Sequence, residues 1–255
     1  MFGAVLQLMN ALIAAAAVLA VFAAGAGSPA HIADPLAATL PAPAKAASPQ
    51  NIVLIGATGF VGSRLLKEAI YRGHTVTAVV RNPRKLPKHA RLTSQQADVL
   101  KDDLAAIFAG HDAVISAYNP SLPNGDRGVR AIIDAVKAAK VPRLLVVGGA
   151  GSLEIAPGRL LVDSPEFPAK WKPGALATAA FLDALRAERD LQWTFLSPAA
   201  ELAPGKRTGR FRLGGDQLLR DAKGQSRISL EDYAVAMLDE LERPAHTGRR
   251  FTVAY

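Results

Sequence analysis

Twelve residues, Asn51-Ile-Val-Leu-Ile-Gly56-Ala-Thr58-Gly59-Phe-Val-Gly62, restrict the fold of this chain more than any others. The run from Ile52 to Ile55 has the length and β-branched bias of a strand buried on both faces. Glycines at three-residue spacing follow at once. Gly56 permits a tight turn, Gly59 lets backbone approach a diphosphate, and Gly62 lets the next helix pack closely on the strand. Val61, Leu65, Ala69 and Ile70 share one face of that helix, and the N–H groups around Thr58, Phe60 and Val61 open it, where the dipole favours an anion. The stretch predicts the first βα unit of a dinucleotide-binding sheet, with Gly56, Thr58, Gly59, Phe60 and Val61 as cofactor contacts.

Downstream, strands and helices alternate. Strands are expected at 75–80, 91–97, 113–116, 143–147 and 193–197, with helices at 102–109, 127–140 and 174–189 between them. Alternation with helical connections implies a parallel sheet whose ligands sit beyond the carboxyl ends of the strands. The expected fold class is α/β, a Rossmann-like doubly wound parallel sheet in a single domain with a small C-terminal substrate-side portion.

The strand ends supply the remaining candidate contacts. After Val80 come Arg81-Asn-Pro-Arg84-Lys85, where an NAD enzyme would place an acid for the ribose 2′-OH. Arg81, helped by Arg84 or Lys85, suits a 2′-phosphate, so NADP(H) is preferred over NAD(H). Asp98 and Val99 would line the adenine pocket; the alternative role for Asp98 is to cap the helix at 102–109. Ser116 and Ala117 close the fourth strand beside the cofactor. The fifth strand ends in Gly148-Gly149-Ala150-Gly151-Ser152, where Gly149 would allow close approach of a nicotinamide and Ser152 could donate to a substrate carbonyl. Pro198 would close the nicotinamide pocket. Between them, the Pro-rich stretch 155–173 reads as a loop or lid carrying Phe167 and Trp171. The tail offers a turn at Gly205, a short strand around Phe211, a helix capped by Ser229 and a last strand at 251–253.

Ketone reduction usually needs a positioned acid, commonly Tyr-x-x-x-Lys on one helix face. The residues four places after Tyr71, Tyr118 and Tyr233 are Thr75, Leu122 and Met237, so no such pair exists. That favours an acceptor that takes hydride without a strong protein acid, such as a flavin or quinone, acting as substrate and held by Tyr118, Ser152 and the 167–171 loop. Tyr118 and Ser152 are therefore the catalytic candidates. The five histidines share no ligand spacing and read as surface or loop residues, and cysteine is absent, so no metal is expected.

Charge and composition bound the partners. The formal charge is +8, and residues 1–50 contribute only Asp34 and Lys45 to it. Basic residues read as spread along the chain without an aromatic-interleaved run, which argues against nucleic acid and for an anionic cofactor and substrate. Residues 1–26 are apolar apart from Gln7 and Asn10 and would serve as a signal peptide or membrane anchor, with Ala24-Gly25-Ala26 as a cleavage site. A misplaced start is the alternative. Residues 27–50 form a Pro/Ala-rich linker and residues 51–255 the NAD(P)-binding domain. The protein is then exported or membrane-anchored if the N-terminus is real, and otherwise cytoplasmic. Oligomeric state is not legible.

With those residues in hand, the chain from Asn51 to Tyr255 resembles the NADH-flavin reductases among the atypical short-chain dehydrogenase/reductases. The matching stretches are Ile55-Gly-Ala-Thr-Gly-Phe-Val-Gly62, Thr77-Ala-Val-Val-Arg-Asn-Pro83, Leu145-Val-Val-Gly-Gly-Ala-Gly-Ser-Leu153, Thr194-Phe-Leu-Ser-Pro198 and Ile228-Ser-Leu-Glu-Asp-Tyr-Ala234. More distantly it is similar to the biliverdin reductase B group, which reduces flavins with NADPH. The resemblance implies phosphate contacts from 58–61, 2′-phosphate contacts from Arg81 and Lys85, and a nicotinamide pocket between 149–152 and 197–198. Two alternatives stay open: a non-catalytic NADP-binding redox sensor resembling NmrA-like proteins, and an epimerase-like enzyme, disfavoured by the missing Tyr-x-x-x-Lys pair.

Overall fold

The computed structural model describes residues 48–255; the apolar stretch 1–26 and almost all of the 27–50 linker lie outside the described residues. Strand β1 (Asn51–Ile55) leads through the glycine turn into α1 (Gly62–Tyr71), then β2 (Thr75–Val80), β3 (Leu92–Gln96), α2 (Leu104–Phe108), β4 (Ala113–Ser116), α3 (Gly125–Ala138) and β5 (Arg143–Val147). A hairpin of β6 (Glu154–Ala156) and β7 (Arg159–Leu160) precedes α4 (Lys172–Arg186) and β8 (Gln192–Ser197). The chain ends with β9 (Glu201–Ala203), β10 (Arg212–Gly214), β11 (Arg227–Ser229), α5 (Leu230–Glu242) and β12 (Arg249–Ala254).

Eight strands form the main sheet in the order β10-β12-β8-β5-β4-β1-β2-β3, parallel except for β10. Connections lead outward in both directions from β1 and β4, which puts a crevice at the carboxyl edge between them. One face of the sheet packs under α1 and α5 through Leu54, Leu65, Tyr233 and Phe251, and the other under α2, α3 and α4 through Val53, Phe108, Ile132 and Phe181. The central strands are apolar throughout because both faces are covered, whereas β3, an edge strand, carries mostly exposed side chains.

Three expectations need correction. The 155–173 stretch, read as a loop or lid, contains a hairpin: β6 and β7 pair antiparallel, with Leu153 and Val162 buried beside them. The short strand expected around Phe211 is β10, whereas the pair β9 and β11 has no counterpart in the sequence reading, because three-residue strands carry too little periodicity. Asp98 does not cap α2. Asp103 does, accepting from the N–H groups of Ala105 and Ala106, while Asp98 accepts from Leu100 N–H in a local turn. His74, read as a surface residue, is buried; Nδ1 accepts from Gln50 N–H and Nε2 faces Glu242, joining the entry of the chain to the end of α5.

Candidate cofactor cleft and active site

The β1–α1 turn explains its own glycines. Gly56 has φ +76°, and a Cβ there would stand 2.7 Å from the Ala117 carbonyl oxygen. A Cβ on Gly62 would come within 2.1 Å of the Gly56 oxygen, so α1 can approach the turn only without one. Gly59 N–H donates to Gly56 O at 2.9 Å, tightening the turn so that the chain from Thr58 onward faces the cleft. No side chain caps α1 and its first turn holds no acid, which leaves its end electropositive.

A cleft of about 710 Å³ opens above the carboxyl ends of β1 to β4. Gly56, Thr58 and Gly59 line it from the first turn, Arg81 and Lys85 from the end of β2, Asp98 and Val99 from the end of β3, and Ala117 and Tyr118 from the end of β4. Asn82, Leu100 and the 122–124 segment line it too and were missed in the sequence. The Pro-Asn-Gly turn held the available signal: Asn124 adopts a left-handed conformation, φ +57°, ahead of α3, and so aims the loop at the cleft.

The remaining candidates lie elsewhere. Phe60 is 58 % exposed outside the cleft wall, and Val61 is the residue preceding α1. Ser116 is fully buried; its Oγ accepts from Tyr118 N–H, so it shapes the β4 end and does not reach the cleft surface. Pro198 is buried beyond β8. Tyr118 follows β4 and lines the groove, and its hydroxyl lies where a Cβ on Gly128 of α3 would come within 2.2 Å. Burial pushes its phenol up from the ordinary value, Asp98 adds to that and Arg81 opposes it. Tyr118 thus lines the cleft with Asp98 and Arg81 among its charged neighbours.

Ser152 is likewise engaged within the protein. Its Oγ accepts from Arg250 Nη1 at 3.0 Å, its carbonyl accepts from the same nitrogen at 2.8 Å, and Arg250 is held by Asp216. The serine ties its loop to β12. The glycine cluster has a packing reason too: a Cβ on Gly149 would be 3.1 Å from Thr178 Cγ2, one on Gly151 2.7 Å from Ala175 Cβ, and one on Gly148 2.3 Å from the Phe195 ring. The α4 face against this cluster therefore carries Ala175 and Thr178, and Thr178 Oγ1 donates to Gly174 O at 2.8 Å. That face offers no acidic group.

With this geometry in view, the comparisons with known proteins are informative. A family model described as NAD(P)H-binding matches residues 56–244. The chain belongs to that NAD(P)H-binding family. A Bacteroides thetaiotaomicron structure described as a candidate epimerase is 52 % identical with TM-score 0.78, covering 81 % of this chain and 97 % of its own. A Streptococcus pneumoniae structure described as a candidate NADH-flavin reductase is 37 % identical with TM-score 0.72, covering 80 % and 99 %. A Burkholderia pseudomallei structure, described as a candidate exported protein, is 45 % identical with TM-score 0.73, covering 81 % and 100 %. Members of such a family bind a nicotinamide cofactor, and the residues here fit one: the turn has no room for a Cβ at Gly56 or Gly62, and Arg81 and Lys85 stand past the end of β2 and line the cleft. Among the described residues no helix is long and apolar enough to cross a membrane.

Proposed function

We propose that the protein is an NADPH-dependent reductase that passes hydride to a flavin or a similar planar acceptor. The observation that carries this reading is the α4 face beside the glycine cluster, where Ala175 and Thr178 stand and no acid group is available. An alcohol or sugar reaction needs a proton moved at a defined atom in step with the hydride. A flavin does not, because its ring spreads the incoming charge and the second proton comes from solvent. When bound, the cofactor supplies the hydride; Gly56 to Val61 hold the diphosphate, Arg81 and Lys85 the 2′-phosphate, and Asp98, Val99 and Tyr118 the adenosine. The small residues at 148–151 leave space for flat rings to stack.

Mixing the purified protein with NADPH and FMN, riboflavin or a quinone tests this by the loss of absorbance at 340 nm. Turnover with at least one acceptor is expected. Tight binding of NADP⁺ and NADPH with no turnover by any acceptor would sink the reductase reading and leave a redox sensor. Export or anchoring through residues 1–26 is part of the same proposal, and mass spectrometry of the mature N-terminus tests it: a chain starting at Gly27 indicates a cleaved signal, an intact one an anchor, and a start near residue 48 a misplaced start.

A further inference from the structure

The amino edge of the main sheet, opposite the cleft, carries positive charge that the protein does not neutralise. Arg91 stands immediately before β3, Lys140 three residues ahead of β5, Arg189 three ahead of β8, and Arg249 opens β12. Lys88 lies in the same approach to β3. All five are exposed, and among the described residues none has a carboxylate within salt-bridge distance. From β3 to β12 the sheet runs through seven neighbouring parallel strands, so at ordinary strand spacing these cations span about 30 Å of one rim. The acids of the rim are engaged elsewhere: Asp112 accepts from Asn51 N–H, Glu188 is shared by Arg130 and Lys137, and Asp239 and Glu242 hold Arg72. Among the described residues that leaves Asp190 to set against five cations.

The chain enters the fold at this same rim. Thr75 N–H donates to Gln50 O at 3.0 Å and Val76 N–H to Arg91 O at 2.8 Å, while Arg91 Nη1 donates to Gly73 O at 3.0 Å, so the guanidinium reaches back toward the entry. Tyr71, the last residue of α1 and 74 % exposed, stands two residues before Gly73. Upstream, the apolar residues 1–26 exceed the roughly 20 that a membrane-crossing helix needs. A basic rim, an exposed tyrosine and an apolar segment leading into the same edge point to one partner chemistry: anionic headgroups attract Lys and Arg, and the bilayer interface accommodates tyrosine. Resting on the anchor form of the reading above, we propose that the amino edge of the sheet lies on an anionic lipid surface, with the cofactor cleft turned toward water.

The whole chain is mixed with vesicles of phosphatidylcholine, alone or with phosphatidylglycerol added. Flotation reads attachment, and brief acetylation followed by mass spectrometry reads the accessibility of each lysine. Lys88 and Lys140 are expected to be acetylated about fivefold more slowly on the phosphatidylglycerol vesicles, with salt restoring the rate. Lys101, which follows β3, and Lys170, which precedes α4, lie on the cleft side and should change little. Arg189→Gln combined with Arg249→Gln, two exposed side chains, should remove most of that protection without disturbing the fold. Equal acetylation on both vesicle types, by a chain that floats with both, overturns the inference and leaves the anchor standing. Flotation with phosphatidylglycerol vesicles only, abolished by salt, keeps the rim and sinks the anchor, and flotation with neither sinks both. Protection of Lys88 and Lys140 by duplex DNA as strong as that by the vesicles assigns the rim to nucleic acid and also overturns the inference.

Discussion

At Gly62 a single hydrogen separates a working turn from a collision. A Cβ would sit 2.1 Å from the Gly56 oxygen, a backbone atom that cannot rotate away. Gly62→Ala should therefore cost roughly 1–3 kcal/mol by overpacking, read as a lowered Tm, and should weaken NADPH binding because the turn itself shifts. Arg81 is the opposite kind of residue, exposed at the rim of the cleft with nothing to support. Arg81→Gln should leave Tm unchanged and raise the Kd for NADPH about tenfold, with the Kd for NADH nearly constant; equal losses for the two cofactors would show that Arg81 does not read the 2′-phosphate. The need for glycine at 62 was legible in the sequence because it depends on local backbone chemistry, and Arg81's place in the cleft was legible from its position at a strand end. The contacts of Ser152 and Tyr118 were not. Their partners, Arg250 and Gly128, come from strands and helices that sequence spacing does not bring together.

Among elements, the start of α5 holds the C-terminal portion together. Asp232, fully buried, accepts from Thr208 N–H at 2.7 Å, Gly209 N–H at 2.8 Å and the Tyr255 hydroxyl at 2.8 Å, while Ser229 caps the same turn. Asp232→Ala strands several donors at once and should destabilise the fold by about 3 kcal/mol. Hydrogen exchange would report it as lost protection in 204–210 and at the end of β12. The Ser229 cap and the apolar spacing of α5 were readable from local sequence. Neither Asp232's reach to a loop more than twenty residues upstream nor the β9–β11 pairing was, because long-range polar contacts leave no periodic trace.

Taken whole, the molecule is a sheet with its ligand cleft at one edge and a buried ionic cluster toward the other. Arg143 Nη2 lies 3.2 Å from Glu240, and Glu240 also accepts from His246 and Ala245 N–H. Burial alone would raise the Glu240 carboxyl; the His246 and Ala245 bonds outweigh it and hold the group below the ordinary glutamate value of 4.5. The folded form thus favours the ionised carboxylate. Its stabilising effect is complete above about pH 4.5 and is lost as pH falls through the lower folded value. Glu240→Gln should lower Tm at pH 7, and the gap from the unmodified protein should narrow as pH drops below 4.5; a gap that stays constant would rule out this linkage.

The chain enters the sheet through β1, which lies between β2 and β4 and is parallel to both, with five residues in register on one side and four on the other. Mechanically, this makes the entry strand a two-sided anchor. A pull on Gln50 runs along the strand axis and loads both ladders in shear, so their bonds must yield together and cannot peel one by one. Stretching from this end should give a single abrupt rupture at a force well above that needed to strip β10, a three-residue edge strand. Because β1 enters at the amino edge, that load arrives at the rim opposite the cleft, and a tether attached there leaves the cofactor's doorway clear.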